Sequence, residues 1–296
     1  MAETNSTIEA FIIANKENVN RRLEEILRQD EEILAKEILE AARYMVLDAG
    51  HRWRPLLALA VYDALKKQDH QEEEDLDNIL NAACAVELLH SASLIYDDIF
   101  DKSELRRGQL TCHIKYGQDI ALLTTLYLVS RANLLLSRIN NNKKSLPELA
   151  FYCINSMIYG QALDVKSMIT DEASLLKAHK LKSTIYVFAA ELGAIISGAD
   201  DETIKAIADY SEAIGIAYLI EDDILDVEGT EKGTGKPLGQ DKKLGKYTAV
   251  DAYGLDGAKR KLEEYIQEAK QTIAQIPNNK LLIQFLDYMF KRYISY

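Results

Sequence analysis

The 296-residue chain predicts an all-α fold, arranged as a single large helical bundle. Apolar residues make up 48% of the sequence and recur at three- and four-residue spacings, the pattern of helices with a buried face. Only four prolines and 14 glycines are spread through a chain rich in helix-favouring residues. Because no linker, internal repeat or low-complexity tract divides it, we expect one domain over residues 1–296.

Ten or more helices are expected, and eight long stretches show the helical period. These are Val19–Leu47, Ile79–Phe100, Ile120–Arg138, Leu146–Met168, Ser174–Ser197, Thr203–Val227, Gly257–Ile276 and Lys280–Tyr293. The second stretch is apolar on nearly every side, which is typical of a helix at the centre of a large bundle. The only long break, Gly229–Lys246, is rich in Gly and Lys, and long loops in compact folds often carry function.

Composition excludes several classes of protein. The net charge of −12 argues against nucleic acid as a partner, because nucleic-acid-binding proteins normally present a basic face. No run approaches 18 uninterrupted apolar residues and the N-terminus has no secretory pattern, so we expect a cytoplasmic protein without a membrane segment. Cys84, Cys112 and Cys153 form no metal or redox motif, and we expect them to be buried apolar residues.

An acidic cluster ends the central apolar helix, in the segment Leu94–Asp101 (LIYDDIFD). Asp97 and Asp101 are four residues apart, so a helix stacks them about one turn apart on one face. Carboxylates this close repel each other unless a cation lies between them. Magnesium is commonly held by one or two carboxylates together with substrate phosphates. Taken alone, however, the cluster fits the solvated end of a helix equally well.

The same pattern returns in Ile220–Asp226 (IEDDILD), at the end of a second apolar helix. Asp222 and Asp226 again share one helix face. The C-terminal end of a helix is electronegative, so acidic residues there carry an electrostatic cost. Two copies in the same position therefore favour the binding of divalent cations over a solvated helix end.

Basic groups accompany the acidic clusters. Gly50–Pro55 (GHRWRP) precedes an apolar helix, Arg106–Gly108 (RRG) follows the first cluster and Gly235–Thr248 follows the second. Each group alone fits a solvated loop, but a diphosphate bound through magnesium needs cationic donors for its other oxygens. His90 lies seven residues before Asp97, two turns along the same face, and is either a core histidine or a phosphate ligand.

Together these motifs resemble the trans-isoprenyl diphosphate synthases, the polyprenyl synthetase family. The resemblance runs in the family's order through Asp97–Asp101, Arg106–Gly108, Gly160–Gln161, Asp222–Asp226 and Gly235–Thr248. It implies an all-α isoprenoid synthase fold with a deep apolar cavity, usually as a homodimer. It also implies head-to-tail condensation of isopentenyl diphosphate with an allylic diphosphate, as in geranylgeranyl and polyprenyl diphosphate synthases.

The resemblance further implies roles for individual residues. Two or three magnesium ions would be held by Asp97, Asp98, Asp101, Asp222 and Asp226, the last as a supporting residue. The allylic diphosphate would be held by Arg106, Lys182 and Lys236. Isopentenyl diphosphate would be bound by His51, Arg54, His90 and Arg107, and two further substrate contacts would be Gln161 and Lys246. No protein nucleophile is required, because cationic groups stabilise the charge on the departing diphosphate.

The sequence departs from the family pattern at several positions. His51 stands where the family usually has Lys, which gives a weaker and pH-dependent positive charge. Leu219 replaces a common Gln before the second motif, and Leu110 replaces a usual Pro. The Lys-Thr pair of the family is approximated by Lys182–Thr184, which leaves Lys180 as an alternative to Lys182.

Product length should be set along the central helix on the N-terminal side of Asp97, one turn (about 5.4 Å) at a time. Ala92 and Ser93 are small, whereas bulky aromatic residues there resemble the block that ends growth at short products. We therefore expect a product of C20 or longer, with Leu88, Leu89 or Tyr127 as a deeper floor. Small residues that only allow close helix packing are the alternative explanation.

Three other interpretations compete. A di-iron bundle would need a second ExxH pair besides Glu87–His90, and no other histidine has Glu three residues before it, so this class is excluded. A class I terpene cyclase also ionises an allylic diphosphate, but it has no second substrate for Arg54, His90 and Arg107 to hold. A non-catalytic subunit of the same fold would carry degraded Asp-rich motifs, and here both are intact.

Overall fold

The computed structural model describes residues 2–47, 50–66, 73–141, 144–230 and 238–291, with only the backbone described for residues 2–7. Twelve helices lie in these ranges: α1 (Ala2–Arg28), α2 (Lys36–Leu47), α3 (Trp53–Leu65), α4 (Glu73–Phe100), α5 (Cys112–Tyr116), α6 (Gln118–Ser137), α7 (Leu146–Val165), α8 (Glu172–Ile196), α9 (Asp201–Glu228), α10 (Gln240–Leu244), α11 (Ala249–Thr272) and α12 (Lys280–Met289). A two-stranded antiparallel hairpin joins α4 to α5, with strands β1 (Leu105–Arg106) and β2 (Gln109–Leu110). The all-α prediction is confirmed.

The 28-residue helix α4 lies at the centre of the bundle, as its sequence predicts. It packs against α6, α3 and α8, and α8 packs in turn against α9, which packs against α11. An almost unbroken buried run from Ala82 to Ala92 shows why α4 can be surrounded, because small and apolar residues occur on every side of it. The buried side chains of these helices form one contiguous cluster, in which all three cysteines are buried and unpaired.

The helices that carry the two Asp-rich motifs end in the same region. The first Asp-rich motif lies at the C-terminal end of α4 and the second at the C-terminal end of α9. Between them lies α8, which contacts both. Gly215 of α9 allows this packing, because a Cβ there would come within 3.0 Å of the Ser183 Cα on α8.

The predicted helical run Val19–Leu47 is divided by a turn between α1 and α2. In that turn Asp30 is buried, its Oδ2 lying 3.0 Å from the Arg131 Nε and 2.7 Å from the Tyr127 hydroxyl, both on α6. Ile33 consequently faces solvent. The ion pair from a distant helix outweighs the local periodicity, because a buried carboxylate without partners would cost far more than an exposed isoleucine.

Helix boundaries differ from the prediction at two further places. Helix α1 begins at Ala2 rather than in the region of Val19. Helix α11 begins at Ala249, eight residues before Gly257, because Thr248 and Asp251 form a capping box at its N-terminus. It bends at Gly254, whose positive φ of 67° suits glycine.

Two helices of the described chain, α4 and α6, are long and apolar enough to cross a membrane by length and composition alone. A core helix passes the same test, and the apolar window of α4 is 67% buried within the protein. The corresponding window of α6 is 39% buried. The expected absence of a membrane segment therefore stays a prediction.

The contact between α3 and α8 provides a test of the core. A Cβ on Gly193 would clash with the backbone carbonyl of Ala58 and lie 3.0 Å from the Val61 Cβ. We expect Gly193→Ala to lower the free energy of unfolding by about 1–3 kcal/mol, despite the better helix propensity of alanine. Urea unfolding measures this; Ala173→Val, which adds volume at an exposed position of α8, serves as the control. An unchanged midpoint for Gly193→Ala would contradict the packing described.

Candidate active site

The three aspartates of the first motif differ in their exposure to solvent. Asp97 is partly exposed at the end of α4, and Asp101 lies in the turn that follows. Asp98, in contrast, is 1% exposed, and both its oxygens accept hydrogen bonds from the Arg106 Nε at 2.9 Å. In the structure Asp98 is thus engaged by Arg106, and the metal-binding role predicted for it stays a prediction.

Arg106 is placed by the β1–β2 hairpin. Arg107 and Gly108 form its turn with positive φ angles of 53° and 77°, which reverses the chain directly after the motif. Burial alone would lower the pKa of Arg106, but the carboxylates of Asp98, Asp97 and Asp222 outweigh it and raise the pKa above its ordinary value. The guanidinium thus lies in the field of both Asp-rich motifs.

The second motif is also divided. Asp222 is exposed at the surface of α9. Asp226 is buried and accepts hydrogen bonds from the backbone N–H groups of Gln240 and Asp241, both at 3.2 Å. These bonds use one oxygen each, so Asp226 contacts the chain that follows it, and its predicted supporting role at the metal stays a prediction.

Asp223, between them, accepts a hydrogen bond of 2.7 Å from the Ala249 N–H. Burial, with smaller contributions from Asp241 and Asp222, raises the pKa of Asp223 to about 8. The His179 Nε2 lies 3.8 Å from the Asp223 Oδ2, and burial lowers the pKa of this histidine to about 4. Around neutral pH the imidazole is therefore uncharged.

Two lysines enter the space between the motifs. The Lys246 Nζ donates a hydrogen bond of 2.7 Å to Asp101, and Lys182 forms an ion pair with Asp164 on α7. Burial is the main reason that the pKa of Lys182 is lowered; Lys246 lowers it further, and carboxylates of both motifs, Asp97, Asp101 and Asp223, oppose the shift. Lys180 instead pairs with Glu212 at 3.0 Å, so it is Lys182 that lies near the motifs.

A basic cavity of about 300 Å³ adjoins this region, partly open to solvent. Its walls include four of the predicted substrate ligands, namely His51, Arg54, His90 and Arg107. The Arg54 Nη1 lies 3.0 Å from the His90 Nε2. Burial, and then the charges of the surrounding arginines, hold the pKa of His90 well below its usual range. The neutral ring can accept a hydrogen bond from Arg54, so His90 adds no positive charge to that of the arginines.

The first basic motif serves two purposes. Arg52 is buried, with its Nη1 2.5 Å from the Glu87 Oε1 and its Nη2 2.6 Å from the Val46 carbonyl, so it joins α3 to α4. Arg52 adopts a left-handed conformation (φ 61°) that aims it inward. His51 remains exposed at the cavity and stacks on Trp53 with ring centroids 5.4 Å apart.

Several residues of the site were missed in the sequence. The Arg54 guanidinium lies over the ring of Tyr186 at 4.4 Å from its centroid and near that of Tyr218 at 5.6 Å. A signal was present, because Tyr218 precedes Asp222 by four residues and Tyr186 follows Lys182 by four, which puts each one helical turn from a predicted site residue. Asp164 gave a comparable signal, because it follows the predicted residue Gln161 by three positions on the same helix.

The remaining predicted residues lie around this site. Gln161 is buried on α7, and its Nε2 has no hydrogen-bond partner within the described part of the chain. Ala92 and Leu89 are buried on α4, and the Ser93 hydroxyl donates to the His90 carbonyl at 2.7 Å. Neither the basic cavity nor a second one of about 310 Å³ next to Arg106 is lined by these three residues, and the expected deep apolar cavity stays a prediction. Lys236 lies outside the described residues.

The donor set fits a divalent cation that is shared with a bound anion. Asp97, Asp101 and Asp222 are the motif carboxylates nearest to the surface of the site. Across the described ranges, no three His, Cys, Asp or Glu side chains are close enough to hold a metal ion alone. Magnesium is usually held by one or two carboxylates and completes its shell with phosphate oxygens and water, so an incomplete protein shell is what such a site requires.

The chain is similar in sequence to a known protein family and to several of its members. Residues 35–281 match the polyprenyl synthetase family model. Over 300 aligned residues the chain is 31% identical to geranylgeranyl diphosphate synthase of Methanosarcina mazei, covering 87% of this chain and 90% of that protein. It is 33% identical to farnesyl diphosphate synthase of Haemophilus influenzae, covering 86% and 88%.

Solved structures agree. Geranylgeranyl pyrophosphate synthetase of Pyrococcus horikoshii superposes with a TM-score of 0.86 at 24% identity over 99% of both chains, which supports the fold. Geranyltransferase of Helicobacter pylori, complexed with magnesium and isoprenyl diphosphate, gives a TM-score of 0.79 at 27% identity over 95% of this chain and 98% of that one. The chain therefore belongs to the polyprenyl synthetase family and is a trans-prenyltransferase, as its sequence predicts.

Proposed function

We propose that this enzyme condenses isopentenyl diphosphate head-to-tail with an allylic diphosphate to give a longer trans-prenyl diphosphate. One observation carries the proposal. The Arg106 Nη2 lies 2.8 Å from Asp98 and 4.0 Å from Asp97, and the Lys246 Nζ lies 2.7 Å from Asp101. Asp222 of the second motif also raises the pKa of Arg106. A site with acidic and cationic groups alternating at this distance suits a metal-bound diphosphate.

Asp97, Asp101 and Asp222 are the residues we propose to hold magnesium, with two or three ions in the loaded enzyme. The magnesium in the Helicobacter pylori geranyltransferase supports a divalent ion at this site. When bound, magnesium lowers the energy of negative charge developing on the diphosphate oxygens. The chain's own carboxylates supply the ligands and fix where that charge is best stabilised.

The allylic diphosphate would be held by Arg106, Lys182 and Lys246, together with Lys236. As the allylic C–O bond breaks, its electron pair goes to the diphosphate and leaves a carbocation. Cationic side chains aimed at the departing oxygens stabilise this charge in a site partly shielded from water. Lys182 and Lys246 are already held by Asp164 and Asp101, so little reorganisation is required when the substrate arrives.

Isopentenyl diphosphate would occupy the basic cavity, with its diphosphate bound by Arg54, Arg107, His90 and His51. Its double bond attacks the carbocation and forms the new C–C bond. The proton lost from the neighbouring carbon goes to the departing diphosphate, so no protein base is required. Consumption of isopentenyl diphosphate would separate this reaction from that of a terpene cyclase and from a non-catalytic subunit.

Removal of either proposed metal ligand tests the assignment. We expect Asp97→Ala and Asp222→Ala each to lower kcat by at least about 10²-fold, because electrostatic stabilisation of the leaving group is lost. A radiolabelled condensation assay measures this. Asp209→Ala, an exposed residue on the same helix as Asp222, should retain the wild-type rate. Wild-type rates in both motif variants would refute the assignment.

For product length we propose C20 or longer, with Ala92 and Ser93 along the path of the growing chain and Leu89 deeper. The similarity to both a geranylgeranyl and a farnesyl diphosphate synthase leaves the exact length to experiment. Tyr127, predicted as a possible deeper floor of this path, has less weight in the proposal because its hydroxyl donates a hydrogen bond to Asp30.

A bulkier side chain on α4 tests this path. With geranyl and isopentenyl diphosphates as substrates, the wild type should give products of C20 or longer, and Ala92→Phe should give shorter ones because its ring occupies the path. Chromatographic sizing of the products measures the change. Ser93→Ala, which keeps a small side chain, is the control. Exclusive C15 from the wild type would contradict the proposal.

We propose that two copies of the chain associate through the outer faces of α6 and α7. Exposed apolar side chains cluster there, namely Leu122, Leu123, Leu126, Leu134, Phe151, Tyr152, Ile158 and Tyr159. An apolar surface of this extent on a protein of net charge −12 is typical of an interface. We also propose that residues 1–296 form a single domain and that the protein is cytoplasmic.

A charge at the centre of this surface tests the homodimer. Leu126→Glu should shift the mass measured by sedimentation from dimer to monomer, because burying an unpaired carboxylate is costly. Ile33→Glu places the same charge on an exposed apolar residue of the α1–α2 turn and should leave the dimer intact. A wild-type monomer at micromolar concentration would contradict the proposal.

A further inference from the structure

The aspartates of the second Asp-rich motif contact the chain that follows them. Asp226 accepts hydrogen bonds from the N–H groups of Gln240 and Asp241 through its two carboxylate oxygens, and its backbone carbonyl accepts a third from the Gly239 N–H at 3.0 Å. Asp223 accepts one from the Ala249 N–H. Carboxylates one turn apart on α9 thus bind both ends of the segment Gly239–Ala249.

Lys246 lies inside this segment and reaches the other motif. Its N–H donates to the Asp241 carbonyl at 2.9 Å, and its ammonium donates to Asp101 at 2.7 Å. An uninterrupted series of hydrogen bonds therefore runs from Asp226 through Asp241 and Lys246 to Asp101. Because a lysine side chain is long and loses much rotamer freedom when held, the position of its backbone decides whether it can make this contact.

We propose that Asp226, supported by Asp223, is a positioning residue that fixes the segment Gly239–Ala249 so that Lys246 lies at the first Asp-rich motif. The proposal rests on the proposed function, in which Lys246 contacts the allylic diphosphate. Bonds from backbone N–H groups to an ionised carboxylate are charge-assisted and stronger than neutral ones, which suits the two bonds that Asp226 accepts. The motif is then divided between Asp222, which faces the substrate, and two residues that hold the chain.

The first experiment measures the segment itself, without substrate or metal. Asp226→Asn keeps one acceptor oxygen and places an NH₂ group against the second N–H. We expect amide hydrogen exchange at Gln240 or Asp241 to accelerate about tenfold, as for the loss of one charge-assisted hydrogen bond. Asp222→Asn, whose side chain is exposed, should leave exchange at both residues unchanged. Unchanged exchange in Asp226→Asn would overturn the proposal.

A second pair of variants covers the case in which Asp226→Asn fails to fold. Asp223 accepts only one N–H, which an asparagine carbonyl can also accept. Asp223→Asn should therefore retain slow exchange at Ala249, whereas Asp223→Ala should lose it. Loss of protection in both variants, or in neither, would contradict a tether made by this hydrogen bond.

Kinetics then link the segment to the substrate. We expect Asp226→Asn and Lys246→Ala each to raise KM for the allylic diphosphate, and the double variant to be no worse than Lys246→Ala, because both changes remove one contact. The half-saturating magnesium concentration should stay within twofold of the wild type. Additive effects together with a raised magnesium requirement would identify Asp226 as a metal ligand and overturn the proposal. Because hydrogen exchange requires no activity, failure of the proposed function would be distinguishable from failure of the tether.

Discussion

Mutual repulsion of carboxylates at the ends of two helices is the constraint on which this structure depends. The motifs place six aspartates where the helix dipoles are already negative, so each uncompensated charge destabilises the fold. Compensation comes from three separate elements: Arg106 from the hairpin, Lys182 from α8 and Lys246 from the segment before α11. Because these cations are held by carboxylates in the free protein, they are already in place when an anion binds.

The carboxylates are not equivalent, although their spacing suggests that they are. Burial decides their use. Asp98 and Asp226 are almost inaccessible to solvent. Asp98 accepts hydrogen bonds from the Arg106 guanidinium, and Asp226 accepts them from backbone N–H groups. Asp97 and Asp222, in contrast, remain accessible. Each motif therefore combines an outer carboxylate, available for metal and substrate, with an inner one that secures the adjoining chain. In the first motif this follows from helix geometry, because the neighbouring residues Asp97 and Asp98 point about 100° apart. In the second motif Asp226 shares a face with Asp222, and it is bonded instead by the segment that follows α9.

Sequence periodicity was sufficient to predict the helical fold and the central position of α4, because these follow from local spacing. It was insufficient where a distant partner decides the outcome. The turn between α1 and α2 depends on Arg131 of α6, and the inward direction of Arg52 depends on Glu87 of α4. Lys182 was separated from Lys180 only by the positions of Asp164 and Glu212. None of these pairings leaves a periodic signal in the sequence.

The basic cavity shows the opposite electrostatic problem from the acidic motifs. Arg54, Arg107 and the uncharged His90 gather there, and Arg54 lies against the π faces of Tyr186 and Tyr218. Burial lowers the pKa of Arg107; Glu87 opposes this shift, and Arg106 and Arg52 add to it. Repulsion among these cations therefore raises the energy of the free protein, and a bound diphosphate would relieve it. The same molecule thus stores excess negative charge on one side of the reacting centre and excess positive charge on the other, which suits one substrate bound through metal and one bound directly by side chains.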